Sequence, residues 1–350
     1  MLIDKTPFEL GYVMPAEWER HYATWISWPK NQESFRGSVL AEVEGAYLKI
    51  VEELSKGERV EILVDNEDEK ARVAKMLDST GSLKENIGFH AIPTTDVWIR
   101  DYGPIFIKRS DIRRIDIAYT HWKFNAWGMK YEGMAEDTHV PEKMPLREFK
   151  GFRIPIVLEG GSIDTNGIGT FLTTEQCLLN KNRNPELSRG KIEGFLRSYL
   201  GALNVIWLGE GLEGDDTDGH VDDIARFVSR NTVVCAYEEN SSDANYEALD
   251  RNFRILQGSE DQDGKKLNVI KMPMPGKVEK DGMRLPASYM NFYISNKSVL
   301  VPIFAVENDK KAIDILKELF PGRNIVGIDC RGLIEGFGAI HCATQQQPSH

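Results

Sequence analysis

Short runs of β-branched and aromatic residues recur along the whole chain, and helical patterns of moderate length lie between many of them. The runs are YATWISW, RVEILVD, IGFHAI, GPIFIK, RRIDIAY, GTFLTT, NVIWL, IARFV, TVVCAY, NVIKMPM, SVLVPIF and NIVGIDC, each with the length and composition of a strand. SVLAEVEGAYLKIVEELSKG, EDEKARVAKMLDS, PELSRGKIEGFLRSYLGA, SDANYEALDRNFRILQG and NDKKAIDILKELF place apolar residues three or four apart, the spacing of one helix face. Several of these follow Asn, Ser or Asp, whose side chains cap the first free amides of a helix. The two clearest helices end in the turn signals SKGE and FPGR and lead into a strand, giving β-α-β modules. No Gly/Ser tract, proline spacer or block of like charge interrupts them, so a single domain over residues 1–350 is expected. Self-similarity between modules is weak, and a repeated module around a central site remains compatible with the pattern.

With 350 residues, 41% of them hydrophobic, the chain can bury a large core. It has no run of ~20 apolar residues, so no membrane span is expected. The start, MLIDKTPFELGYVMP, lacks the basic and apolar regions of a signal peptide, which predicts a cytoplasmic location. The four cysteines, Cys177, Cys235, Cys330 and Cys342, show no CxxC spacing and are expected to be reduced. Net charge is −11, with no Lys/Arg cluster dense enough to follow a phosphate backbone, so nucleic acid is not an expected partner. The field suits a small cation.

Three stretches crowd ionisable residues into what otherwise read as strand ends: DVWIRDYGPIF, GDDTDGHVDDIARF and the closing GFGAIHCATQQQP. In the second, His220 and Asp222 are two apart and would share a face if the segment is extended. In the first, Asp96, Arg100 and Asp101 surround Trp98 ahead of Gly103-Pro104, a mixture suited to a flat cation. Other readings stay open: an internal Asp–Arg ion pair, an acidic or calcium-binding loop lacking the closing glutamate of an EF-hand, and a buried, inert cysteine at 342. A zinc hydrolase has little support, because HxD and a lone HC pair match no zinc spacing.

Taken together the three point to one chemistry. A nucleophilic cysteine needs a partner that handles protons and a means of holding its electrophile. Paired carboxylates accept the donors of a guanidinium in fork geometry, keeping it charged and oriented for a thiolate. Cysteine with carboxylates therefore suggests attack on a guanidine.

MPAEW at Met14–Trp18, DVWIRDYGP, LEGGSIDTNG, TEQCLLNKNRNP, GDDTDGHVDD and IHCATQQ fall in the order found in agmatine deiminases, which are grouped with the Porphyromonas-type peptidylarginine deiminases. The chain resembles that family from about residue 10 to residue 348. The resemblance implies an α/β fold, the five-bladed pseudo-symmetric α/β propeller called a pentein, whose terminal strand closes the ring. It implies that Cys342 is the nucleophile and His220 the proton-transfer residue, and that Asp101 and Asp222 grip the guanidinium. Glu159 matches a further acidic position, Trp98 would lie along the substrate, and Asp216 would face the distal amine. No cofactor or metal is implied. The implied reaction is hydrolysis of agmatine to N-carbamoylputrescine and ammonia through a covalent thiouronium. The same chemistry on protein arginine is the nearest alternative, a non-catalytic repeat scaffold a distant one, and a homodimer a possible assembly. Asp216 stands where many members carry glutamate, and Gly-Phe-Gly-Ala before Ile340 departs from their fuller glycine run and asparagine.

Overall fold

Every expected strand run forms a strand in the structure, a computed structural model that describes residues 5–110 and 115–350. Arg113 and Arg114 of RRIDIAY lie outside the described residues, and the strand is described from Ile115 to Lys123. The strands assemble into a unit that occurs five times. Its first strand runs antiparallel to its second, and its second runs parallel to its third. Ile105–Ser110, Ile115–Lys123 and Lys150–Val157 make one unit, and Asp164–Thr165, Thr170–Thr174 and Asn204–Leu208 the next. Ala225–Phe227, Thr232–Tyr237 and Asn268–Pro273 follow, then Tyr293–Ile294, Ser298–Ile303 and Asn324–Asp329. The fifth joins the two ends of the chain: Gln345–Pro348 pairs antiparallel with His21–Ser27, which runs parallel to Arg59–Val64 and onward to Ile87–Ala91. A separate small hairpin pairs Glu279–Lys280 with Met283–Arg284.

Parallel neighbours need a crossover, and the predicted helices supply it except between Ile115–Lys123 and Lys150–Val157, where the short turns Ala126–Met129, Glu132–His139 and Val140–Lys143 do. Val39–Leu54 connects two strands and buries Val43, Tyr47, Ile50, Val51 and Leu54 on one face. Glu67–Ser79 starts at Asn66, whose side chain accepts from the Glu69 amide, as its sequence signal predicts. Arg189–Leu200, Tyr246–Gly258 and Asn308–Leu319 repeat the pattern. No helix among the described residues is long and apolar enough to cross a membrane.

What positions the site is the turn before the first strand of each unit. Ile99–Tyr102, Gly160–Ser162, Val221–Asp223 and Tyr289–Asn291 are single helical turns there, and residues 340–343 make the corresponding turn before the last strand. Successive turns are tied to one another. The Gly161 amide donates to Asp101 (2.9 Å), Ser288 Oγ donates to the Asp223 carbonyl (2.7 Å), His341 N donates to the Asn291 carbonyl (3.1 Å) and Arg100 N to the Cys342 carbonyl (3.1 Å). Residues distant in sequence therefore meet at the centre, and the C-terminal segment is fixed as part of the ring.

Candidate active site

A cavity of about 350 Å³, walled by Trp98, Asp101, Trp127, Tyr131, Asp216 and Cys342, opens onto the ring at the turns that carry Asp101 and Cys342. Of the trio in DVWIRD, only Asp101 faces it. Asp96 turns away to accept from Asn31 (2.9 Å) and Ser34 (2.5 Å). Arg100 reaches to the opposite side, to Gln346 and Glu17, so its ion pair is with neither neighbouring aspartate. Asp101 receives the Trp127 indole N–H on one oxygen (2.9 Å) and the Gly161 amide on the other (2.9 Å).

His220 and Asp222 are not on an extended strand. Val221–Asp223 is a 3-10 turn, so the period-2 argument fails, although both side chains still reach the centre. A methyl group on Gly161 would meet His220 Nδ1 at 2.7 Å and Asp222 Oδ2 at 2.9 Å, which leaves glycine alone at that spot. His220 is fully buried, and neither of its ring nitrogens has a hydrogen-bond partner among the described residues. Burial alone would push its pKa down, but Asp101, Cys177 and Glu159 outweigh this and raise it well above the ordinary histidine value. Glu159 places one oxygen on Arg183 (2.5 Å) and leaves the other buried without a partner among the described residues.

Cys342 is buried and lines the cavity. Burial pushes its thiol well above the usual range, and Asp222, Asp223 and Asp101 push it further. Sγ lies 3.7 Å from Asp222 Oδ2. Asp222 itself is kept ionised: burial works against it, but a hydrogen bond from the His341 ring at 2.7 Å and the charges of His341, His220 and Arg226 hold its pKa down. The other His341 nitrogen lies 2.8 Å from Glu17. Glu17 is held well below the carboxylate range by Arg226, His341 and Arg100 against the cost of its burial. Asp222 Oδ1 is buried with no partner among the described residues.

At the far end, burial raises the Asp216 pKa to about 6, and its carboxylate accepts from Tyr131 (2.5 Å). Its two neighbouring aspartates are structural. Asp215 accepts from the Thr217, Gly219 and His220 amides, and Asp218 pairs with Arg183 and Lys130.

Several residues of the site were not singled out from the sequence. Trp127 is delivered by a left-handed turn in which Ala126, Trp127 and Met129 all have positive φ (50°, 53° and 63°). Such residues cost roughly 1–2 kcal/mol each. The turn is pinned where Asn125 Oδ1 accepts from the Gly128 amide. Asn291 is another. The Trp98 ring is fixed from above by the departing glycine segment: Cβ atoms on Gly336 and Gly338 would come within 2.8 Å and 2.5 Å of it. Phe35 packs on the same ring, with centroids 6.2 Å apart, so the indole has nowhere to retreat. Gly338→Ala should therefore raise KM about 10-fold with a smaller change in kcat, through a displaced cavity wall. An unchanged KM in steady-state kinetics would show that the loop yields instead.

A family profile described as Porphyromonas-type peptidyl-arginine deiminase matches residues 13–348. An agmatine deiminase of Medicago truncatula is 36% identical over an alignment 381 positions long, covering 100% of both chains. The solved structure of an agmatine deiminase of Enterococcus faecalis superposes with a TM-score of 0.91 at 32% identity, over 99% of this chain and 98% of that one. An agmatine deiminase of C. jejuni with substrate bound gives 0.87 at 29% identity, over 97% and 96%.

Proposed function

This chain belongs to the Porphyromonas-type peptidyl-arginine deiminase family, and on that premise we propose that it hydrolyses agmatine to N-carbamoylputrescine and ammonia. One observation carries the reading at the level of this site. Asp222 Oδ1 and Glu159 Oε2 are buried acceptors without partners among the described residues, beside a thiol and a histidine. Unpaired buried acceptors are costly, and a guanidinium supplies the donors and the positive charge that they lack.

In this reading Asp101 and Asp222 hold the guanidinium so that its carbon faces Cys342 Sγ. Sulfur attack forms the C–S bond and His220 delivers a proton to the departing nitrogen, which leaves as ammonia. A thiouronium remains on Cys342. Water, deprotonated by His220, then adds to the same carbon, and the C–S bond breaks to release the ureido product and the thiol. Burial of the centre keeps stray water away from the charged groups. Trp98 and Trp127 flank the aliphatic chain and Asp216 meets the distal ammonium. One domain over residues 1–350, a cytoplasmic location and a homodimer stay part of the proposal, the first supported by the pairing of the two chain ends.

No cofactor enters these steps. Glu159, Cys177 and His220, and separately Asp222, Asp223 and Cys342, do bring ligand-type atoms within 4.8 Å of one another, so metal content of the active protein is the check on a zinc reading.

The substrate is tested by ammonia release from agmatine, free arginine and an arginine-containing peptide. Agmatine should be preferred by more than ~100-fold in kcat/KM, about 3 kcal/mol of differential binding. Asp216→Asn should erode that preference more than it lowers arginine turnover. Because the Asp216 carboxyl sits near pH 6, KM for agmatine should also rise as pH falls through that value and the pocket loses its charge. Faster turnover of the peptide would replace agmatine by protein arginine and keep the cysteine chemistry.

A further inference from the structure

The fourth turn of the ring, Tyr289–Asn291, contributes a residue with no role so far. Asn291 is fully buried, and its carboxamide is oriented by the backbone. Its Oδ1 accepts from the amides of His341 (2.9 Å) and Cys342 (3.2 Å). Backbone N–H groups can only donate, so the atom they face is the oxygen and the opposite atom is the NH₂. That NH₂ lies 3.1 Å from Cys342 Sγ and 3.4 Å from Asp222 Oδ2. The main chain holds the same residue, since the His341 amide also donates to the Asn291 carbonyl (3.1 Å).

From this geometry we infer that Asn291 is a catalytic residue, a fixed hydrogen-bond donor that stabilises the Cys342 thiolate. The surroundings explain why such a donor is needed. The charged or titratable groups facing the sulfur are Asp222, Asp223 and Asp101, with His341 behind Asp222 and His220 beside Asp101 (3.7 Å). Three carboxyl groups around a buried thiol oppose its ionisation, and this is the consequence of building a guanidinium grip. A cationic substrate offsets that charge only after it binds. Asn291 donates to sulfur without adding a charge that would repel the substrate, which a lysine or arginine in its place would do. Its clamp on residues 341 and 342 means that the donor and the nucleophile move as one body, so the hydrogen bond needs no rearrangement when the thiolate forms.

This inference rests on Cys342 being the nucleophile. Its test reads the thiol of the free enzyme, so a mistaken substrate would not affect it. Asn291→Asp keeps an oxygen for the two backbone amides and loses the donor. The midpoint of Cys342 alkylation by iodoacetamide against pH, followed by mass spectrometry at that residue, should rise by at least ~1 unit. The kcat should fall at least ~50-fold, the scale of a lost hydrogen bond to a charged group, while KM and the melting temperature change little. Raising the assay pH should restore part of the lost rate, which a loosened loop would not do. Asn291→Ala removes the donor without introducing a charge. Its alkylation midpoint should also rise, and this measurement decides the matter if the aspartate variant does not fold. An unshifted midpoint in the alanine variant, or near-normal kcat in a folded aspartate variant, would reduce Asn291 to a loop anchor and overturn the inference.

Discussion

Cys342→Ser should lower agmatine turnover by at least ~10⁴-fold, the scale of removing a covalent nucleophile, with the melting temperature close to that of the native chain. Serine fills nearly the same volume, and the backbone around residue 342 is held by Asn291 and Arg100, so packing survives. What goes is nucleophilicity. A thiol surrounded by Asp222, Asp223 and Asp101 is already hard to ionise, and a hydroxyl in the same place would not ionise at all. The variant should still bind agmatine, because the carboxylates remain, and calorimetric titration can confirm binding without turnover. Cys235 and Cys330 serve as controls. Burial raises Cys235 to about 12 and also raises Cys330, so alanine at either position should leave most activity. Cys177 is not a neutral control. It looks incidental in the sequence, but it lies against His220 and Glu159. Substantial turnover in Cys342→Ser, with loss in Cys235→Ala or Cys330→Ala, would move the nucleophile elsewhere.

How the sequence carried this information differs between the fold and the site. Strand runs and helix periodicity were legible because they report burial, and burial in a β-α-β module is periodic. The short first strands were harder. Asp164–Thr165 and Tyr293–Ile294 have two residues each, too few for alternation to register, and Gln345–Pro348 is built of polar residues, so only the family resemblance marked it as a closing strand. Its burial comes from pairing with His21–Ser27, a contact that no local pattern announces. At the site, Asp101, His220, Asp222 and Cys342 were singled out from the ionisable stretches and the resemblance, Glu159 from the resemblance alone, and the structure brings their turns into one ring. Asn291 was missed because asparagine before a strand is commonplace. A signal did exist: SYMNFYISNKSVL precedes its strand pair as LEGGSIDTNGIGTFL precedes another. Aligning the modules would have placed Asn291 beside the glutamate turn. Arg100 shows the opposite error. Proximity to Asp96 and Asp101 in sequence suggested a local cation partner, but one helical turn directs Asp101 to the cavity and Arg100 to Glu17.

Asp222→Asn should separate catalysis from thiol reactivity by moving them in opposite directions. The carboxylate has two duties, one per oxygen: Oδ2 receives the His341 ring and stands 3.7 Å from Cys342 Sγ, while Oδ1 is unpartnered among the described residues. An asparagine would keep its oxygen on His341 and so turn its NH₂ toward the guanidinium, donor against donor, with the negative charge gone. Loss of charge-assisted acceptance and of orientation for attack should lower kcat/KM by ~10³-fold. Asp101→Asn should cost less, about 10–100-fold, because both Asp101 oxygens already accept from Trp127 and Gly161 and its grip is shared. The thiol should respond the other way. Asp222 is the largest charge raising the Cys342 pKa after burial. Neutralising it should lower that pKa, so Cys342 in Asp222→Asn should alkylate faster than the native thiol at neutral pH even as turnover collapses. Slower alkylation together with slower turnover would mean that the substitution had disturbed the ring itself. Near-normal kinetics would remove Asp222 from the guanidinium grip altogether.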